Sequence, residues 1–216
     1  QLKPFMPSDK SQIVFIGDDL YIPQTVNLRL GDKAIERSPI KVVLDTIENT
    51  SEALPMRFPP LINYKDFGTV GAFGAEYSFC YDGNRFIYSF DADEDLYLTT
   101  SAHEKVEKKK AKSKYIDHVT VFRSTEGNFQ KMVRAQCEHA SYGKILYDKY
   151  RDVYYRFVYP PCDTSDYFGD YVELLRSGRK RFSIMILDNK LNVVGETFFP
   201  AYTYNPNLSF ILEDGL

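Results

Sequence analysis

The sequence predicts an all-β protein, a β-propeller-like antiparallel meander forming a partial or incomplete propeller, with a β-sandwich as the alternative. The 216 residues include 17 Tyr and 16 Phe, residue types that favour strands. Short apolar runs alternate with Asp-rich turns along the chain. Long stretches with the 3.6-residue period of an amphipathic helix are largely absent.

Four hairpins carry this prediction. In each, two apolar strands are joined through Asp or Asn, which bond to their own backbone and tolerate left-handed conformations. The four units span residues 13–22, 85–100, 144–159 and 182–194. Strand 182–187 is apolar on both faces, which predicts burial between stacked sheets.

The spacing of these hairpins suggests a repeat. Their second strands begin at Leu20, Leu96, Val153 and Leu191. The intervals are 76, 57 and 38 residues, and because 76 is twice 38, one further hairpin is expected between residues 21 and 90. The charged segment 104–114 would be an insertion in the irregular interval. A period near 40 residues is typical of a four-stranded propeller blade, whereas a sandwich also gives short strands with regular turns.

The remaining segments predict connections rather than further domains. Residues 50–60, with three prolines, and residues 160–166 are predicted loops, and residues 167–176 could form a short helix. We therefore expect one domain over residues 1–216. The non-Met first residue and a strand-and-turn pattern at 210–216 favour a fragment of a longer chain.

Composition disfavours two function classes. The net charge of -3 lacks the basic excess that nucleic-acid binding requires. No run of about 18 apolar residues exists, so the sequence predicts no transmembrane segment. The three cysteines, Cys80, Cys137 and Cys162, are an odd number without a C-x-x-C pair, which predicts small buried side chains rather than a disulfide framework.

Two clusters resemble ligand motifs but lack essential members. Gly68, Gly71 and Gly74 have the wrong spacing for a dinucleotide-binding loop, which favours close sheet packing. Asp91, Asp93 and Asp95 resemble the start of a calcium loop. However, Leu96 and Ala102 occupy the positions that require Gly and Glu, so a hairpin turn is preferred.

Histidine and cysteine spacing predicts no metal site. The pattern beginning at His103 has Glu107 where H-E-x-x-H requires the second histidine. Cys137 and His139 could supply two ligands, but no second pair follows at zinc-site spacing. We predict no catalytic, cofactor-binding or metal-binding residue and no cofactor, and the binding residues stay open.

Two surface segments have alternative interpretations. The lysine-rich run 104–114 could attract phosphates, but its glutamates favour a solvated strand that protects a sheet edge. The tyrosine-dense hairpin 147–159 could stack on sugars or peptides, although packing between blades explains it as well.

Three segments together resemble a known family: residues 112–117, residues 145–156, and residues 182–188 with 194–197. The family is a domain-of-unknown-function family of bacteroidete envelope lipoproteins, similar to six-bladed, TolB-like propellers. The resemblance implies an exported protein tethered by a lipid anchor upstream of this chain, at the periplasmic or outer-membrane surface. The family offers no activity to carry over.

The sequence therefore favours a non-enzymatic ligand-binding or scaffolding module of the cell envelope, with a glycan, peptide or protein as partner. The alternative is an envelope hydrolase or lyase acting on a glycan. An enzyme should gather Asp, Glu or His in one pocket, a glycan binder should line a groove with aromatic residues, and a scaffold should expose an apolar surface.

Overall fold

The computed structural model describes residues 12–24, 39–59, 76–119, 129–163, 171, 174 and 180–216. Within them, twelve strands form three four-stranded antiparallel sheets, each a simple meander in chain order. The all-β, propeller-like prediction is confirmed. Successive stacked sheets, rather than two facing ones, distinguish this arrangement from a β-sandwich.

The strand boundaries follow the apolar runs. The first sheet contains β1 (Val14–Ile16), β2 (Asp19–Pro23), β3 (Lys41–Asp45) and β4 (Thr50–Ala53). The second contains β5 (Tyr77–Tyr81), β6 (Phe86–Phe90), β7 (Asp95–Thr99) and β8 (Glu107–Lys110). The third contains β9 (Ser141–Asp148), β10 (Val153–Tyr159), β11 (Phe182–Leu187) and β12 (Val193–Phe199).

Aspartate side chains shape the tight turns, as predicted. Asp82 Oδ1 accepts hydrogen bonds from the amides of residues 84 and 85, and Asp148 Oδ1 from those of residues 150 and 151. Asp45 and Asp188 do the same in the β3–β4 and β11–β12 turns. Each carboxylate satisfies amides that the turn removes from the ladder, which stabilises the reversal.

The second sheet is buried on both faces. On one side, Phe86, Tyr88 and Phe90 of β6 pack against the first sheet. On the other, Ile87 packs against the third sheet. Strand β11 likewise has no exposed residue, which agrees with its predicted burial. Because side chains alternate along a strand, a sheet apolar on both faces requires a neighbour on each side.

The predicted period of about 40 residues is wrong. The first strands of the three sheets begin at Val14, Tyr77 and Ser141, so successive sheets begin 63 and 64 residues apart. The error arose because the compared hairpins occupy different positions within their sheets. The further hairpin expected between residues 21 and 90 is present as β3 and β4, whereas the supposed insertion contains β8, the last strand of the second sheet.

The proline-containing segment 50–60 is not a surface loop throughout. Its first four residues form β4, which pairs with β3. Beyond it, Leu54, Met56 and Phe58 are buried in the core between the first and second sheets. The prolines therefore do not prevent this segment from burying every second side chain.

One helix, α1 (Phe129–Glu138), was not predicted. Apart from Tyr171 and Leu174, both helical, the helix expected at 167–176 lies outside the described residues. Near the C-terminus, Pro206–Leu208 forms a short 3-10 helix. The turn predicted there is confirmed by a bridge between Leu212 and Gly215, but the preceding residues 210–211 form no strand.

The lysine-rich run lies at a sheet edge, as predicted. Strand β8 is at the edge of the second sheet, and three of its four residues are exposed. Lysines on an edge strand discourage pairing with other chains. Among the described helices, none has the length and apolar character needed to cross a membrane.

Candidate functional site

The two ends of the sheets differ in character. At one end, short turns join neighbouring strands, and Arg85 donates a hydrogen bond to the Asn189 carbonyl across two of them, at 2.7 Å. The long connections, such as β2–β3 and β10–β11, all leave the other end. There the Tyr142 amide donates to the Asp91 carbonyl at 2.9 Å, joining the second and third sheets. Ligand-binding residues concentrate on such connections, so a binding site is expected at this end.

Helix α1 is held at this end through the backbone of its last turn. The Lys180 ammonium donates to the Gln136 carbonyl at 3.0 Å. The Cys162 thiol donates to the Cys137 carbonyl at 2.8 Å, and the Cys162 amide to the Glu138 carbonyl at 3.1 Å. Because the last carbonyls of a helix find no amide within the helix itself, these contacts from residues 162 and 180 cap α1 and fix its position.

An open cleft of about 510 Å³ lies beside this helix end. It forms where α1 meets the segment after β10 and the residue before β11. Its lining residues are Arg134, Glu138, Pro161, Cys162, Asp163 and Arg181. Of the residues that the sequence motifs singled out, only Cys162 belongs to it, because residues brought together from three separate segments leave no motif in the chain.

The cleft carries two guanidinium groups and two carboxylates. Arg134 Nε lies 2.7 Å from Glu138 Oε1, and this carboxylate, with Asp163 nearby, raises the pKa of Arg134. Arg181 donates to the Pro161 carbonyl. Each guanidinium has five N–H donors and each carboxylate several acceptor sites, so both have capacity for a ligand. The lining is neutral overall and offers donors and acceptors side by side.

A second unusual group lies between the first and second sheets. Lys41, at the start of β3, is fully buried, and its Nζ lies 3.1 Å from the Phe79 ring centroid and 4.5 Å from that of Phe86. Among the described residues this ammonium has no hydrogen-bond partner. Desolvation lowers the pKa of Lys41 well below its usual value. No pattern in the sequence indicates this burial, and the closed cage makes Lys41 part of the core.

His103 lies beside the same cage. Its Nε2 is 2.5 Å from the Tyr88 hydroxyl, and its Nδ1 is 2.8 Å from the Ser101 carbonyl oxygen. Burial lowers the pKa of His103 to about 4, so the ring is neutral near pH 7. Both ring nitrogens are occupied by structural contacts, which agrees with the sequence prediction that this histidine is no metal ligand.

The acidic cluster forms a turn, as predicted. Asp93 Oδ1 accepts from the Asp95 amide at 3.0 Å, and Asp93 Oδ2 accepts from the Tyr97 hydroxyl at 2.6 Å. Among the described residues, no group of three or more His, Cys, Asp or Glu is arranged to hold a metal ion. The glycines Gly68, Gly71 and Gly74 lie outside the described residues.

The tyrosine-dense hairpin serves mainly as packing. Tyr154 is 1% exposed, stacks near Tyr147 with ring centroids 5.1 Å apart, and donates to Asp82 at 2.6 Å. This bond joins the second and third sheets at the short-turn end. Tyr150 is 51% exposed, but it lies in the β9–β10 turn, away from the cleft.

The sequence profile of a family described as a domain of unknown function, DUF4221, matches residues 3–198. The chain belongs to the DUF4221 family. It is also similar to the crystal structure of a DUF4221 member from Bacteroides vulgatus ATCC 8482, with a TM-score of 0.76 and 23% identity. The match covers 94% of this chain and 55% of that one. None of the curated proteins matches the chain.

These comparisons bear on fold rather than activity. At 23% identity, the likeness to the Bacteroides DUF4221 protein shows a shared fold alone. The present chain spans about half the length of that relative, 55% by the match. What a DUF4221 protein binds has to be argued from the site.

Proposed function

We propose that this chain is a non-enzymatic ligand-binding module of the cell envelope, and that the cleft between α1 and the segment after β10 binds a glycan. The observation that carries the proposal is the grouping of Arg134 and Arg181 with Glu138 and Asp163 around one open cleft. Sugar hydroxyls both donate and accept hydrogen bonds, so a lining that offers both roles suits them.

The size and polarity of the cleft support this ligand class. A volume of about 510 Å³ lies within the range of small-molecule sites. The balanced charge favours a neutral or mixed ligand over a polyanion, since two carboxylates would repel closely spaced negative groups. Pro161 and Cys162 add an apolar surface for the carbon skeleton of a sugar ring.

Location in the envelope is part of the proposal. It draws support from the resemblance of residues 112–117, 145–156 and 182–197 to envelope lipoproteins, and from the Bacteroides origin of the structural relative. Protease accessibility in intact and lysed cells of the source organism would test it, with a periplasmic and a cytoplasmic marker as controls.

The ligand can be tested by thermal shift against neutral and uronate-containing oligosaccharides and short cell-wall peptides. A ligand present at one hundred times its Kd should raise Tm by roughly 5–10 °C. Stabilisation by oligosaccharides alone supports the proposal, and stabilisation by peptides alone would replace the ligand class. Incubation with the same oligosaccharides separates the enzymatic alternative, because a hydrolase or lyase would shorten them.

Scaffolding by self-association is a second candidate, favoured by one observation. Strand β12 is an edge strand, and it and the segment after it carry most of the exposed large apolar side chains among the described residues. These are Val193, Val194, Phe198, Tyr202, Tyr204, Leu208, Phe210, Leu212 and Leu216. Light scattering after size exclusion should show an oligomer that Val194→Asp dissociates. A monomer at every concentration would eliminate this candidate.

A further inference from the structure

We propose that Cys137 and Cys162 form a disulfide bond that fastens the end of α1 to the segment after β10, beside the cleft. Both thiols are free in this structure. Formation of the bond is an oxidative modification, and it does not depend on which ligand the cleft binds.

The two residues are already in contact through both backbone and side chain. The Cys162 thiol lies 2.8 Å from the carbonyl oxygen of Cys137, and the Cys162 amide bonds to the next carbonyl, that of Glu138, at 3.1 Å. A disulfide requires Cα atoms within about 7 Å of each other. Contacts at both the amide and the thiol keep residue 162 against the helix end, so closure needs side-chain rotation rather than backbone movement.

Access and burial assign different roles to the two thiols. Cys162 lines the open cleft, whereas Cys137 is fully buried beneath it. An oxidant that enters the cleft therefore meets Cys162 first. The Cys137 thiol donates to the Tyr171 carbonyl at 3.9 Å, and the charge of nearby Lys180 favours its thiolate.

The chemistry is thiol–disulfide exchange with a disulfide oxidant, such as oxidised glutathione. The Cys162 thiolate attacks one sulfur of the oxidant, forming a mixed disulfide and releasing one thiolate. The Cys137 thiolate then attacks the Cys162 sulfur and displaces the second thiolate. The protein loses two protons and two electrons, and the oxidant disulfide is reduced to two thiols.

The third cysteine cannot take part. Cys80 lies in β5 of the second sheet, pairs across from Ile87 of β6, and belongs to the core between the second and third sheets. Burial, together with the nearby Asp82 charge, raises the pKa of Cys80 well above its usual value. It therefore serves as an internal control for nonspecific oxidation.

The test is peptide mapping of the folded full chain after incubation with oxidised glutathione. Free thiols are blocked with N-ethylmaleimide before denaturation, so that disulfides cannot exchange. Trypsin places Cys137 in peptide 135–144, Cys162 in 157–176 and Cys80 in 66–85. We expect 135–144 linked to 157–176, with 66–85 carrying the maleimide. Oxidation should also raise Tm by on the order of 5–10 °C, because the bond closes a loop of about 25 residues.

Two variants make the result decisive. Cys80→Ser should leave the link and the Tm rise unchanged, and Cys137→Ser should remove both while leaving the reduced-state Tm close to wild type. Three maleimide-labelled cysteines after oxidation would overturn the proposal. A link that includes peptide 66–85, or glutathione retained on Cys162 without closure, would overturn it equally.

Discussion

The Arg156 guanidinium lies over the Tyr142 ring, with its central carbon 3.8 Å from the ring centroid, in the interface between the second and third sheets. The side chain is fully buried, and burial lowers the pKa of Arg156 to about 10. Its donors reach the carbonyl oxygens of Asp93, Glu94 and Ala111 at 2.6–3.0 Å. One cation thus satisfies backbone groups of the second sheet from a strand of the third.

Replacing this arginine should strongly destabilise the protein. Arg156→Met retains much of the volume but leaves several buried acceptors unpaired, so the free energy of unfolding should fall by about 3–5 kcal/mol. Chemical denaturation would measure the change, with exposed Lys149→Met as the control, expected within about 0.5 kcal/mol of wild type. A loss below about 1 kcal/mol would mean that Arg156 does not hold the sheets together.

Replacing Lys41 should have the opposite sign. Lys41→Met fills the same aromatic cage without burying an amine that has no hydrogen-bond partner among the described residues, so stability at pH 7 should rise by about 1–3 kcal/mol. Denaturation at pH 7 checks this. Equal or lower stability of the variant would show that the cation–π contacts with Phe79 and Phe86 outweigh the desolvation of the ammonium.

The pH dependence supplies a second test of Lys41. Its folded pKa lies well below 10.5, so between that pKa and 10.5 the unfolded chain binds more protons than the folded one. Stability should therefore rise with pH in this window, with a slope from this group of up to about 1.4 kcal/mol per pH unit. The slope of Lys41→Met should be smaller by that amount, and equal slopes in the two proteins would contradict the assignment.

His103 should limit stability in acid. Its pKa is lowered from 6.5 to about 4, so the unfolded state binds more protons as the pH falls through 6.5. Stability should decline from about pH 6.5 to pH 4, by on the order of 3 kcal/mol from this group. His103→Asn keeps a residue that tolerates the local φ of 55° and should flatten this decline. Parallel acid profiles of the two proteins would refute the prediction.

Glu196 should matter for the attachment of the segment after β8. Its Oε1 accepts from the hydroxyls of Ser113 and Ser183, each at 2.6 Å, and its Oε2 accepts from the Lys114 amide at 3.0 Å. Glu196→Gln replaces one acceptor oxygen by a donor and should cost about 1–3 kcal/mol. Glu213→Gln, on an exposed turn, is the control, and equal stability of the two variants would show that this network contributes little.

The sequence predicted the parts of the fold that local chemistry decides. The Asp82, Asp148 and Asp188 turns follow from side chains that bond amides two to four residues away. The burial of β11 follows from its apolar alternation. The sheet period was missed because individual hairpins do not reveal their position within a sheet.

The functional candidates depend on contacts that no local pattern records. Arg134 and Arg181 meet only when α1 packs against the start of β11, and the contact between Cys137 and Cys162 spans 25 residues. The family resemblance noted at residues 112–117 and 194–197 now has a structural explanation, because Glu196 bonds Ser113 and Lys114. Those motifs therefore join strands rather than bind a ligand.

The most direct test of the proposed function is calorimetric titration of the stabilising oligosaccharide into wild type, Arg134→Ala and Lys190→Ala. Arg134 lines the cleft, whereas Lys190 lies in the β11–β12 turn at the opposite end of the third sheet. Loss of a charge-assisted hydrogen bond should weaken binding by roughly 10–100-fold in Arg134→Ala, with Lys190→Ala binding as wild type. Unchanged affinity in folded Arg134→Ala would show that the glycan does not bind in this cleft.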